Sequence, residues 1–179
     1  MLPLRTPRLV LRDFVEGDWR AVHEYASDVE VVRDMIWGPN TEQQTRDFIA
    51  TTIEQQRRTP RHQYGLAIEF EGRVVGGSRI EIQNEAKREA DLGYVMNRRF
   101  WKRGIATEAA RALLKFGFDA LRLHRLWATC DPQNAGSIRV LEKIGMQREG
   151  LMREHQFIKG RWRDSLLFAI LDRDWTALA

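Results

Sequence analysis

The feature that most constrains this chain is a strand running through a bare turn into a helix, and then into a second strand. Residues 89–96 alternate as a strand, Trp101-Lys102-Arg103-Gly104 interrupts them, and helical periodicity holds from about Gly104 to Ala120. Arg125 to Asp131 reads as the next strand. The helix opens without the Ser, Thr, Asp or Asn that normally satisfies its first free N–H groups. Gly104 and Ala106 leave the backbone bare instead. Such a terminus carries about half a positive charge and several free donors, which suits a phosphate or pyrophosphate. Lys102 and Arg103 add charge beside it. Close packing with water on the amides accounts for the same residues equally well, so this stretch alone leaves both readings open.

The flanking elements set the class. Arg8–Arg12 predicts a first strand, and Asp18–Ala26 a short helix capped by Asp18. Thr41-Glu42-Gln43-Gln44 is a capping box opening a helix to about Arg58. Tyr64–Phe70 and Arg73–Gln83 are strands joined through Glu71-Gly72, a hairpin signal. Asn134–Ile144 predicts a helix stopped by Gly145, and strands follow near Gln147–Phe157 and Arg161–Ile170. The order implies an α/β protein with a largely antiparallel start and a strand–helix–strand unit in the middle. At 179 residues, with no linker or low-complexity tract, one domain spanning 1–179 is expected.

Composition removes several function classes. The net charge is +4, and 24 of the 29 basic residues are arginine, a good phosphate grip. They are interleaved with Asp and Glu rather than striped with aromatics, so no specific nucleic-acid surface is expected. Cys130 is the one cysteine, which excludes an internal disulfide and points to a reducing, cytoplasmic setting. No apolar run suits a signal peptide or a membrane span. There is no P-loop and no Gly-x-Gly-x-x-Gly after a strand. His23, His62, His124 and His155 lack zinc-type spacing, so no metal is expected.

Taken together, several spaced motifs resemble one family. Trp101-Lys102-Arg103-Gly104-Ile105-Ala106-Thr107-Glu108-Ala109 resembles the pyrophosphate loop of the GNAT acyltransferases. The run from Asn134 through Ser137 and Lys143 to Gly145 resembles their second CoA-side motif. Leu4-Arg-Thr6-Pro-Arg8-Leu9-Val-Leu11-Arg12, with Arg153-Glu154-His155 and Gly160-Arg161-Trp162-Arg163-Asp164, resembles the RimJ/RimL-type branch that acetylates ribosomal-protein N-termini. The resemblance covers nearly the whole chain in order. It implies a mixed, mostly antiparallel sheet flanked by helices and splayed at an acyl-CoA site. Two departures stand out: Trp101 replaces the superfamily's usual Gln or Arg, and Met146 its usual Phe.

By that resemblance the chain is an acetyl-CoA-dependent N-acetyltransferase acting by direct attack of an amine on the thioester in a ternary complex. The pantetheine arm would pair with backbone at Val95 and Met96, and the pyrophosphate would rest on the amides of Lys102, Arg103, Gly104, Ile105, Ala106 and Thr107. Asn134 would hold the cofactor, with Lys143 in the same motif, and Ser137 would serve as the acid or the water-holder near sulfur. Asn134 as a helix N-cap and Ser137 as a back-bonded hydroxyl are the bland alternatives. A neutral amine needs a group to accept its proton. Asp91 stands where the branch commonly has Glu, and it is equally open to a plain salt bridge; Glu154 is the second candidate. Alternation puts Glu89, Asp91 and Gly93 on one sheet face, Leu92 and Tyr94 on the other. Cys130 reads as a small buried hydrophobe before an acyl-cysteine nucleophile. Trp37 and Trp162 are candidates for an acceptor pocket. The acceptor is an amine, on a ribosomal or other protein N-terminus or on a small molecule. A non-catalytic acyl-CoA sensor and a ribosome- or RNA-associated module are the alternatives, and the branch admits a homodimer.

Overall fold

Glu71 and Gly72 both take left-handed backbone (φ 51° and 74°), the two-residue turn whose twist matches the strands it joins. In the computed structural model, which describes residues 2–178, this turn links β3 (Gln63–Phe70) to β4 (Arg73–Asn84). The remaining strands are β1 (Leu4–Arg5), β2 (Leu9–Asp13), β5 (Glu89–Met96), β6 (Arg125–Cys130), β7 (Gln147–Ile158) and β8 (Arg161–Leu171). They form one eight-stranded sheet in the order β1-β2-β3-β4-β5-β6-β8-β7. Every pairing is antiparallel except β5 with β6.

The helices are α1 (Trp19–Ala26), α2 (Val29–Val32), α3 (Glu42–Gln56), α4 (Ile105–Lys115), α5 (Ala135–Lys143) and α6 (Asp172–Leu178). They cover both faces of the sheet. On β3, Leu66 and Ile68 join the core under α4 and α5, whereas Ala67 joins the core under α1 to α3. Successive side chains of a strand point to opposite faces, so two cores follow directly from one alternating strand.

The Thr41 box forms as expected: Thr41 Oγ1 accepts from Gln44 N at 3.2 Å, and Gln44 Oε1 accepts from Thr41 N at 2.8 Å. Gly145 turns left-handed (φ 88°) to stop α5. The helix expected to end near Ala120 does so through a wider π-type turn over Phe116–Ala120. Asp18 is a correction. It makes no side-chain cap for α1, because Arg12 and the Val15 amide take its carboxylate, at 2.8 and 2.9 Å.

Candidate active site

The parallel β5–β6 ladder lasts only from Glu89↔Arg125 to Asp91↔Trp127. Beyond it β5 stays with β4 to Met96, and β6 stays with β8 to Cys130, so the two strand ends stand apart. Asn97 N donates to Val75 O at 2.9 Å. The alternation of an antiparallel ladder therefore turns the main-chain groups of Val95 toward β4, and those of Tyr94 and Met96 toward the gap. Met96 O is held there by the Trp101 indole N–H at 2.9 Å. Tyr94 and Met96, rather than Val95, thus offer backbone to anything lying between the strands.

Gly104, at φ 75° and ψ 1°, is the N-cap of α4 and supplies no side-chain cap. The first helical bond is Glu108 N to Gly104 O, at 3.0 Å. The amides of Ile105, Ala106 and Thr107 precede it and have no intrahelical acceptor. Lys102 is also left-handed (φ 61°), so the exposed turn from Lys102 to Gly104 curls its amides into a concave nest. A Cβ on Gly104 would meet only Arg8 Nη2, at 3.5 Å, an ordinary contact. Backbone conformation, more than space, is what demands glycine here.

One carboxylate stands close to this positive pole. Glu108 accepts from Thr6 Oγ1 (2.6 Å), Arg8 N (3.0 Å) and Arg8 Nε (2.7 Å). Partial burial pushes its carboxyl up, and these bonds more than reverse the push, leaving it below the usual carboxylate range. Arg8 Nη1 also reaches Arg103 O at 3.1 Å, tying the N-terminal segment to the turn. An anion on the α4 amides therefore meets an ionised Glu108 whose charge Arg8 balances. A groove of about 970 Å³ runs from this point along α4, and Gly104, Thr107 and Lys143 line it.

At the mouth of the gap Tyr94, Ser137 and Cys130 come together. The Tyr94 hydroxyl lies 3.1 Å from Ser137 Oγ and donates to Ser137 O at 3.4 Å. Burial pushes the Tyr94 phenol well above its ordinary range, so it stays protonated. Burial also pushes the Cys130 thiol up to about 11, against a smaller opposing pull from the Ser137 hydroxyl. A neutral thiol is a poor nucleophile, which fits the reading of Cys130 as a buried hydrophobe. Asn134 caps α5, its Oδ1 accepting from Ser137 N at 2.9 Å. Sequence reasoning gave Tyr94 no role, although alternation had already put it on the face opposite Asp91.

Neither expected base hydrogen-bonds to this cluster among the described residues. Asp91 is buried and held by Arg79 Nη2 at 2.6 Å and Gln83 Nε2 at 2.7 Å. Burial raises its carboxyl, with Arg79 and then Gln83 pulling it back. It lies in the paired part of β5, five residues before Met96, roughly 17 Å along the strand. The ion pair of the salt-bridge alternative is formed, with Arg79. Glu154 is exposed on the edge strand β7, left-handed (φ 48°) at a bulge, and its N–H bonds Asp164 Oδ1 at 2.8 Å. Its neighbour His155 turns inward, with Nδ1 at 3.0 Å from buried Ser165 Oγ beside the end of β6. Trp37 packs on the core under α1 to α3, and Trp162 is exposed against Phe157 with ring centroids 5.3 Å apart.

Among the described residues no cluster of His, Cys, Asp and Glu is arranged to hold a metal, and no helix is long and apolar enough to cross a membrane. The gap, the capless helix and the groove suit an elongated ligand with phosphates at one end and a reactive group at the other. A family model described as an acetyltransferase (GNAT) domain matches residues 8–147. The uncharacterized N-acetyltransferase YnaD of Bacillus subtilis is 33% identical over 172 residues, covering 96% of this chain and 98% of that protein. The [ribosomal protein uS5]-alanine N-acetyltransferase of Escherichia coli is 26% identical, covering 97% of this chain and 92% of its own. A crystal structure of a GNAT-family acetyltransferase from Bacillus anthracis superposes with a TM-score of 0.85 at 34% identity, over 96% of this chain and 99% of the other.

Proposed function

This chain belongs to the GNAT acetyltransferase family, and on that premise we propose that it transfers acetyl from acetyl-CoA, bound between β5 and β6, to an amine. The observation that carries the reading is the β5–β6 divergence after Asp91, set beside a helix whose first amides no side chain caps. Acetyl-CoA supplies an acetyl group activated as a thioester. The amides of Ile105, Ala106 and Thr107 would hold its pyrophosphate, with Lys102 and Arg103 adding charge and Lys143 and Thr107 lining its exit groove. The Tyr94 and Met96 main chain would pair with the arm. The Met96 N–H is aimed where charge builds on a carbonyl oxygen at the strand ends, and a fixed donor there lowers the barrier.

Tyr94, kept protonated by its burial and steered by Ser137, donates to the departing sulfur. Asn134 fixes the start of α5 and so the place of Ser137. His155, in the tautomer whose Nδ1–H donates to Ser165 Oγ, leaves Nε2 to take the amine's proton directly or through water. The family match and the acetyltransferase relatives favour catalysis over a silent sensor or a ribosome-bound module. The test is thiol release from acetyl-CoA with a panel of amines, for wild type and Tyr94→Phe. Turnover that falls tenfold or more in the variant, with acetyl-CoA affinity kept, is the expected result. Equal turnover removes Tyr94 from the chemistry, and no release with any amine removes the transferase reading.

A further inference from the structure

On the sheet face opposite Tyr94, a cleft of about 410 Å³ lies between the start of α2, the Gly38-Pro39 turn and the β7–β8 hairpin. Arg33, Lys159, Arg161 and Arg163 line it, and no carboxylate does. The cleft lies off the end of β6. Leu166 pairs with Cys130 at the end of β6, and Arg163 stands three residues earlier on β8, about 10 Å farther along. Its Nε lies 3.4 Å from Oδ2 of Asp131, the residue after Cys130.

These cations are unequally spent. Arg33 is paired with Glu30 and Asp34, and Lys159 Nζ donates to Val32 O. Arg163 Nη1 donates to Asp34 O at 2.5 Å, and its buried Nε makes no hydrogen bond but is ion-paired with Asp131. The Arg161 side chain has no hydrogen bond or ion pair among the described residues and is exposed at the cleft edge. Buried donors ordinarily find a partner, and a guanidinium fork suits carboxylate or phosphate oxygens. The same positive field penalises an ammonium, so it favours the neutral form that a reacting amine must take.

Resting on the acetyltransferase reading above, we infer that this cleft is the acceptor's anion subsite, selecting amines that carry a carboxylate or phosphate near the nitrogen. Arg161 and Arg163 determine that specificity. A polycationic amine is repelled by Arg161 and Lys159, the two cations of the cleft that no carboxylate balances.

The test compares kcat/KM for matched acceptors: Ala-Glu-Glu against Ala-Gln-Gln, phosphoethanolamine against ethanolamine, and spermidine as the polycation. Wild type should favour the anionic member about tenfold, and Arg161→Gln should erase most of that ratio while Arg161→Glu inverts it. The preference should shrink between low and high salt. The peptide pair and the phosphate pair show which anion is the better fit. A wild-type ratio of one or less, a ratio untouched by both variants, or spermidine as the best acceptor overturns the subsite. Calorimetry with the acetylated Ala-Glu-Glu peptide separates the two levels. Binding that Arg161→Glu abolishes upholds the subsite even if no amine turns over, and no binding to wild type overturns it whatever the turnover.

Discussion

At the scale of single residues, the account turns on which polar side chains are already satisfied. Asp91 has two strong partners and a buried position, so it belongs to the sheet's interior chemistry. Asp91→Asn should lower stability by about 1–2 kcal/mol, since Arg79 is half exposed and regains water. Acetyl transfer should stay within twofold of wild type; a hundredfold loss in kcat with an unchanged melting curve would restore Asp91 as the base. The sequence could suggest Asp91 and Ser137 because strand parity and helical spacing are local. It could not rank them, because Arg79 and Gln83 reach Asp91 only through the β4–β5 register. His155 and Arg163 were hidden for a related reason. The bulge between Met152 and Gln156 decides which β7 side chains turn inward, and no local pattern announces it.

At the scale of elements, local chemistry was most legible where it was self-contained. The Thr41–Gln44 box, the Glu71-Gly72 turn and the Gly145 stop all stand as the residues imply. Asp18 failed as a cap because a distant strand residue, Arg12, competes for it. Four residues of α2 are too few to show a period. The α4 terminus is the element on which the proposed phosphate site rests, and Gly104 is its left-handed N-cap. Gly104→Ala places a side chain at φ 75°, costing about 1–2 kcal/mol of strain, with room for the methyl beside Arg8. A melting temperature lowered by several degrees, together with weakened acetyl-CoA binding, is expected. Unchanged values of both would mean that the left-handed turn does not shape the site.

At the scale of the whole molecule, one divergence in an otherwise continuous sheet sets three things side by side. On the proposed reading the gap would take the acyl arm, the bare helix the phosphates, and the cationic cleft on the other face the acceptor. The order of strands and helices was readable from the chain, because each is long and periodic. The width of the divergence was not, because it depends on β4 and β8 holding β5 and β6 away from each other. The most direct test of the central claim is residue-resolved amide hydrogen exchange with and without acetyl-CoA. Protection should appear at Tyr94, Met96, Ile105, Ala106 and Thr107, and the cleft residues Arg161 and Arg163 should be unaffected until acceptor is added. Binding that leaves those five amides exchanging at their free rate, or that protects the cleft instead, would contradict the account.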